Sequence, residues 1–188
     1  MENPLSQRSD EELVRLTLIN AAEFEPLVAR HQKIVFRVIY HFLNDHHQAQ
    51  DVSQECFVRA FQKLAMFDPK KGTFKTWLLT IARNLARNAI RKNVATPFRR
   101  EESLSEFSVE ISPVSQLQRK ETVQELDRAL DELAEPFRTA FILAEIEELP
   151  LAEVAAIEEV AVGTIKSRLS RARQHLRTAL TSPSIEKS

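Results

Sequence analysis

The chain has 188 residues, 43% hydrophobic and 28% charged, with a formal net charge of −1; that balance describes a globular protein and not a disordered one. Its two glycines, Gly72 and Gly163, are too few for a turn-rich all-β fold or a glycine-rich nucleotide cradle. One cysteine, Cys56, excludes an internal disulfide, no apolar run nears the ~20 residues of a membrane span, and the N-terminus lacks a secretory layout, so a cytoplasmic protein with no membrane insertion is expected.

The near-zero charge conceals a segregation along the chain. Residues 1–82 carry ten basic and ten acidic groups, residues 83–100 six and none, residues 101–159 four and sixteen, and residues 160–188 six and one. Two basic blocks around an acidic middle point to a nucleic-acid partner.

Helical periodicity runs through nearly all of the chain, so the expected fold is all-α. Ser9 and Glu12 have capping-box spacing ahead of a short helix holding Leu13, Val14 and Leu16. Asn20 and Glu23 repeat it, with Pro26 setting the true start of the second helix near Glu25. That helix runs toward Leu43, with Leu27, Val28, Ile34, Val35, Val38, Ile39 and Phe42 as core. "NDHH" (44–47) predicts a turn. A third helix over about 48–65 is expected to bury Val52, Cys56, Phe57, Ala60, Phe61 and Leu64. "MFDPKKGT" (66–73) predicts a loop, since Pro69 lacks a backbone donor and Gly72 permits positive φ.

The fourth helix, about 73–93, sets Phe74, Trp77, Leu78, Ile81 and Leu85 on one face and Thr80, Arg83, Asn84, Arg87 and Arg91 on the other. Like charges one turn apart repel unless an anion neutralises them, and no acidic residue lies between Arg83 and Arg100. The stripe therefore reads as a phosphate-facing track, against the commoner solvated face. From Val94 to about Val114 the period lapses into a linker rich in Ser, Glu and Pro, in which "FSVEI" alternates like a short strand without a partner. Helices resume at about 115 with a Leu117, Val123, Leu126, Leu130, Leu133 stripe, and continue from Pro136 to about Glu147 with Phe137, Phe141, Ile142 and Ile146.

Two helices close the chain, Pro150 to about Glu158 and Val162 to Leu180. The second is strongly basic: six of the sixteen residues in "VGTIKSRLSRARQHLR" are Lys, Arg or His and none is acidic. Short helix, tight turn and longer basic helix is the layout of a helix-turn-helix, whose second member enters the major groove. Lys and Arg there reach phosphates or guanine edges, while Ser and Thr allow close approach. The expected architecture is two small helical domains joined by a flexible linker: residues 1–94, a linker over 95–117, a helix-turn-helix domain over 118–182 and a tail over 183–188.

Catalysis is not expected. His31, His41, His46, His47 and His175 match no closed metal site with Cys56, no HExxH motif occurs, and no carboxylate pair stands out, so surface histidines, no cofactor, no metal and no small-molecule substrate are the reading.

"VGTIKSRLSRAR" resembles the recognition helix of bacterial extracytoplasmic-function sigma factors, the small promoter-specificity subunits of RNA polymerase. The stretch "EFEPLVARHQKIVFRVIYHFLNDHHQAQDVSQECFVRAF" followed by "FKTWLLTIARNLARNAIRKN" independently resembles their region two. The resemblance covers about residues 10–94 and 118–180, and implies regions two and four joined by a linker that threads the polymerase cleft.

The resemblance implies that Asp51, Gln54 and Glu55 dock on the coiled coil of the β′ subunit of core RNA polymerase. It implies that Phe67, Lys70, Lys71, Lys75, Trp77, Arg83, Asn84, Arg87 and Arg91 hold the separated downstream promoter strand. Unstacked bases need an aromatic or apolar pocket beside a cationic track. Phe74 and Trp77 also suit the core. Thr164, Lys166, Ser167, Arg168, Ser170, Arg171 and Arg173 would bind the upstream promoter DNA as a duplex. A sequestering anti-sigma protein that masks these faces is a further family-level expectation.

This chain departs from the family around its second half-motif. Glu148 and Pro150 stand where Gly commonly precedes the first helix, which leaves that helix without a hydroxyl cap. Glu158 and Glu159 stand where Leu-Gly is usual, and a carboxylate at an apolar position is expected to swing outward or alter the turn. A helix-turn-helix regulator that never binds core polymerase is the alternative; it accounts for the second basic block and ignores the first.

Overall fold

The computed structural model describes residues 8–95, 126 and 128–181, with side chains for all of these except 93–95. The chain divides into two compact units on either side of residues 104 and 105. No strand occurs among the described residues. The linker from 96 onward, the "FSVEI" stretch, Leu117, Val123 and the tail over 183–188 lie outside the described residues.

Helix α1 (Asp10–Thr17) begins where Ser9 accepts a hydrogen bond from the Glu12 amide at 3.2 Å, and Asp10, Glu11 and Glu12 complement the positive end of its dipole. Asn20 caps a 3₁₀ turn (Ala21–Phe24), after which α2 (Glu25–Leu43) starts with Pro26 in its first turn, as its missing amide predicts. Asn44 ends α2 in the left-handed region, φ 49°, a conformation asparagine tolerates.

The next element starts earlier than the sequence suggested. Asp45 accepts from the Gln48 amide at 2.9 Å, so α3 runs from His46 to Gln62 and the turn shrinks to two residues. A 3₁₀ turn (Leu64–Met66) and a loop lead to α4 (Phe74–Ala95), whose N-terminus is closed by the Thr73 hydroxyl accepting from the Thr76 amide at 3.1 Å.

Helices α2, α3 and α4 pack on one another, with α1 against α2. Leu27, Val35, Val38 and Ile39 of α2 meet a core completed by Phe74, Leu78, Leu79 and Ala82 of α4, all fully buried. Helix α3 contributes a stripe of small side chains, Ala49, Ser53, Cys56 and Ala60, which permits close approach. The larger residues expected there are less covered: Val52 and Phe57 are half-buried and Phe61 is 42% exposed. Phe61 instead meets the edge of Phe24, ring centroids 5.2 Å apart, at the margin of the core.

In the second unit, helix α5 is described at residues 126 and 128–131. Helix α6 (Glu135–Phe141) continues as a π-helical turn (Ile142–Ile146), in which the Glu147 amide reaches the Ile142 carbonyl at 2.9 Å. Helix α7 (Leu151–Glu158) and helix α8 (Val162–Thr181) follow. Ala129, Leu130 and Leu133 pack with Ala172 and Leu176 of α8, flanked by Leu126, Phe137, Phe141 and Ile146. Val154 and Ile157 of α7 are fully buried, as is Ile165 of α8.

Pro150 precedes α7 as its N-cap instead of occupying its first turn. Its carbonyl accepts from the Glu153 and Val154 amides at 2.8 and 3.1 Å, so the backbone does the work for which no hydroxyl is present.

Candidate nucleic-acid interface

The arginine stripe of α4 is not one exposed face. Arg83 is 6% exposed and donates to Asn84 Oδ1 at 3.1 Å, Arg87 is half-buried, and Arg91 is exposed. The wheel placed all three opposite the core, but α4 packs against α2 and α3 at once, so its buried arc also takes in Thr76, Leu79, Ala82 and Ala86. Thr80 is half-buried and Asn84 exposed. Of the cations read as strand-binding, those facing outward are Arg91 at the far end of the helix and, ahead of it, Lys70 and Lys71 in the loop; Lys75 is half-buried.

Three rings gather where this loop enters α4. Phe67 lies edge-on to Phe74 at 5.7 Å, and Trp77 is tilted against both, at 5.7 Å from each. Phe74 is fully buried, whereas Phe67 and Trp77 are half-buried. Phe74 thus has the core role its position suggested, and the other two form the rim. Asp68 shapes the loop by accepting from the Lys70 amide at 3.0 Å, which leaves both lysine side chains in solvent.

On α3, Asp51, Gln54 and Glu55 are all exposed on one polar face, and Glu55 is paired with Arg59 one turn on. Both members of that pair are 46% exposed, so the interaction is solvent-screened and easily exchanged. Exposed Val58 lies beside these residues on the helix.

The basic residues of α8 separate into held and open groups. Lys166, Ser167 and Ser170 are exposed, with the Ser167 hydroxyl donating to the Thr164 carbonyl at 2.8 Å; Thr164 is half-buried. Arg171 lies over the Phe137 ring at 5.9 Å. Arg173 donates to Glu145 at 2.6 Å across largely exposed side chains. Arg168 donates to Glu158 at 2.9 Å, with side chains only 19% and 3% exposed respectively.

Glu158 thus does not swing outward. It stays buried at the end of α7 and takes a cation from α8. Removing one partner of such a pair costs about 3–5 kcal/mol, more than the ~1.5–3 kcal/mol of a hydrogen bond to a charged group. Glu159 takes the left-handed position, φ 56°, that suits glycine. Nothing local announces the pairing, because the two residues stand ten apart on different helices.

One buried polar contact lies away from these faces. His31, expected at the surface, is 6% exposed, and its Nε2 donates to Asp10 Oδ2 at 2.8 Å. Among the described residues no three His, Cys, Asp or Glu side chains converge to hold a metal ion, and no helix is long and apolar enough to cross a membrane.

Two helical units, the second a helix-turn-helix, define a class, and comparison agrees with it. Residues 27–96 match sigma-70 region 2 and residues 123–176 match sigma-70 region 4. The chain belongs to the extracytoplasmic-function RNA polymerase sigma factors. It is 31% identical over 189 residues to the RNA polymerase sigma-H factor of Pseudomonas aeruginosa, covering 94% of this chain and 96% of that one. It is 30% identical to the ECF sigma factor SigW of Bacillus subtilis, over 84% and 88% of the two chains. Among solved structures it resembles CnrH in complex with the cytosolic domain of CnrY, with a TM-score of 0.72 and 27% identity over 94% and 100% of the chains. It also resembles RpoE of Bartonella quintana in complex with the anti-sigma factor NepR, with a TM-score of 0.68 and 26% identity over 85% and 98% of the chains. A sigma factor binds core RNA polymerase and directs promoter recognition and opening; the regulator that ignores core polymerase is not favoured.

Proposed function

We propose that the two units divide the promoter between them, the first holding a separated strand and the second an intact duplex. The observation that carries this is the ring cluster of Phe67, Phe74 and Trp77 beside two outward lysines of the loop. Half-buried rings at a rim can accept an unstacked base, and Lys70, Lys71 and Arg91 supply a backbone track. Arg83 lies too deep to share in it and supports the helix from within.

Helix α8 offers its exposed Lys166, Ser167 and Ser170, with half-buried Thr164 beside them, to the upstream duplex, while Arg171 can leave the Phe137 ring and Arg173 its solvent-screened carboxylate for phosphate. Asp51, Gln54 and Glu55 form the face for the β′ coiled coil of core polymerase. The chain itself catalyses nothing and works in the cytoplasm, where core polymerase supplies the chemistry. The test is co-elution: Asp51→Lys with Gln54→Ala removes this chain from sigma-free core polymerase while its circular dichroism and melting stay unchanged. If the pair of changes leaves core binding intact, this face has been wrongly assigned.

Partner control is a second element. CnrH and RpoE were each solved with a partner protein on them, which supports sequestration of this chain by an anti-sigma protein. A pull-down from uninduced cells that returns only polymerase subunits contradicts that part alone.

A further inference from the structure

Arg168 stands in the middle of the basic helix, and by sequence it carries the same weight as Lys166, Arg171 and Arg173. Its surroundings are different. Its partner Glu158 has a side chain 3% exposed, and the residues flanking the pair, Ile157, Ile165 and Leu169, are buried. A carboxylate so far removed from water requires a cation beside it. Moving the guanidinium onto DNA would break that ion pair away from water, and an approaching phosphate would meet the carboxylate at short range in a poorly screened setting.

The contrast with Arg173 is instructive. Its carboxylate partner, Glu145, is 35% exposed, so water takes over when the arginine leaves. The position of the Arg168 pair also matters. Glu158 is the last residue of α7, and Arg168 lies two turns into α8, across a three-residue turn in which the Val160 amide closes on the Ala155 carbonyl at 3.0 Å. The pair therefore ties the two helices together beyond the turn that joins them.

We infer that Arg168 makes no contact with promoter DNA and is a positioning residue, withheld from phosphate by Glu158 and fixing how α7 meets α8. This rests on the reading of α8 as the duplex-binding helix. In consequence α8 neutralises one phosphate fewer than its sequence suggests, and a leucine at position 158 returns that contact.

The experiment measures the salt dependence of binding by holoenzyme reconstituted from full-length chain and core polymerase. The probe is duplex spanning a transcript start that this holoenzyme directs, kept cold so that the strands stay paired. Each phosphate contact adds about 0.9 to the slope of log affinity against log salt, or roughly threefold between 50 and 200 mM. Glu158→Leu is expected to steepen the slope by that amount. The double variant Glu158→Leu with Arg168→Met, which leaves no unpaired buried charge, returns it to the wild-type value. Wild type matching Glu158→Leu, with the double variant shallower, overturns the inference, because Arg168 then already touches phosphate. Three equal slopes overturn it as well, since Glu158 is then not what withholds the guanidinium. Lys166→Ala, run alongside, separates the two layers: it makes the slope shallower if α8 faces the duplex, and an unchanged slope there sinks both the duplex reading and this inference.

Discussion

Nε2 of His31 donates to Oδ2 of Asp10 at 2.8 Å, joining the first residue of α1 to a buried ring of α2. The same ring lies 5.6 Å from Phe74, at the head of the helix that carries the proposed strand track. Arg30 pairs with the other Asp10 oxygen and with the Arg8 carbonyl. The short N-terminal helix, whose Leu13 and Val14 are buried, is thus also tied to α2 through one carboxylate.

Acid should loosen that fastening first. Burial pushes the Asp10 carboxyl up, but the hydrogen bonds and charges of His31 and then Arg30 outweigh it, holding it below the ordinary value of 3.8. A folded-state value below the unfolded one gives stability that is complete above about pH 4–5 and lost as pH falls through the folded value. Asp10→Asn is expected to lower stability by about 1–3 kcal/mol at pH 7. Urea unfolding from pH 7 to 3 should show the two proteins converging at the acid end.

Cys56 offers a silent reporter of opening. Burial pushes its thiol from 9.0 up to about 12, with smaller and opposed effects from Arg59 and Glu55, and its Sγ lies 3.8 Å from the Leu78 carbonyl. At pH 8 its thiolate population is about a thousandfold below that of an ordinary thiol, so iodoacetamide should label it only through unfolding. Labelling rates should rise with urea in step with loss of helicity. Rapid labelling of the native chain would mean that α3 and α4 part far more readily than their packing allows.

The turn between α7 and α8 carries removable strain. Glu159 sits at φ 56° and ψ 40° with its side chain exposed, so the residue gains nothing there that glycine lacks. Glu159→Gly should stabilise the second unit by about 0.5–1 kcal/mol, which a thermal melt of the full chain will detect as a later transition.

Arg83 and Arg91 should behave oppositely although both belong to the one basic stripe. Arg83→Glu introduces a carboxylate at a site 6% exposed beside Asn84, with an expected loss of about 3–5 kcal/mol. Arg91→Glu is exposed and should stay within about 0.5 kcal/mol of wild type. The urea midpoints of the two variants decide the matter.

Such contrasts mark where the sequence was legible. The first caps followed from local chemistry, with Ser9, Asn20 and Pro26 each doing what their side chains dictate, whereas Asp45, which starts α3 early, was read as part of a turn. The α3 packing stripe was less readable. Cys56, Ala60 and Leu64 are core as read, but large Phe57 and Phe61 drew attention where Ala49 and Ser53 complete the contact, because small side chains let helices approach. Arg83 was misplaced for a related reason: a wheel assumes one buried face, and α4 has two neighbours. Least legible was Glu158, whose burial depends on Arg168 arriving from a different helix. Periodicity sees within an element; pairing between elements is tertiary.

The central claim is that the outward cations of the first unit hold a promoter strand after it separates. The direct measurement is permanganate reactivity of thymines around the start site in complexes formed by a Lys70→Glu, Lys71→Glu, Arg91→Glu variant, with Arg83 left intact to preserve the fold. The account predicts that this variant still co-elutes with core polymerase and still protects the upstream duplex, yet leaves the thymines unreactive. Thymines as reactive as with the wild-type chain would contradict it.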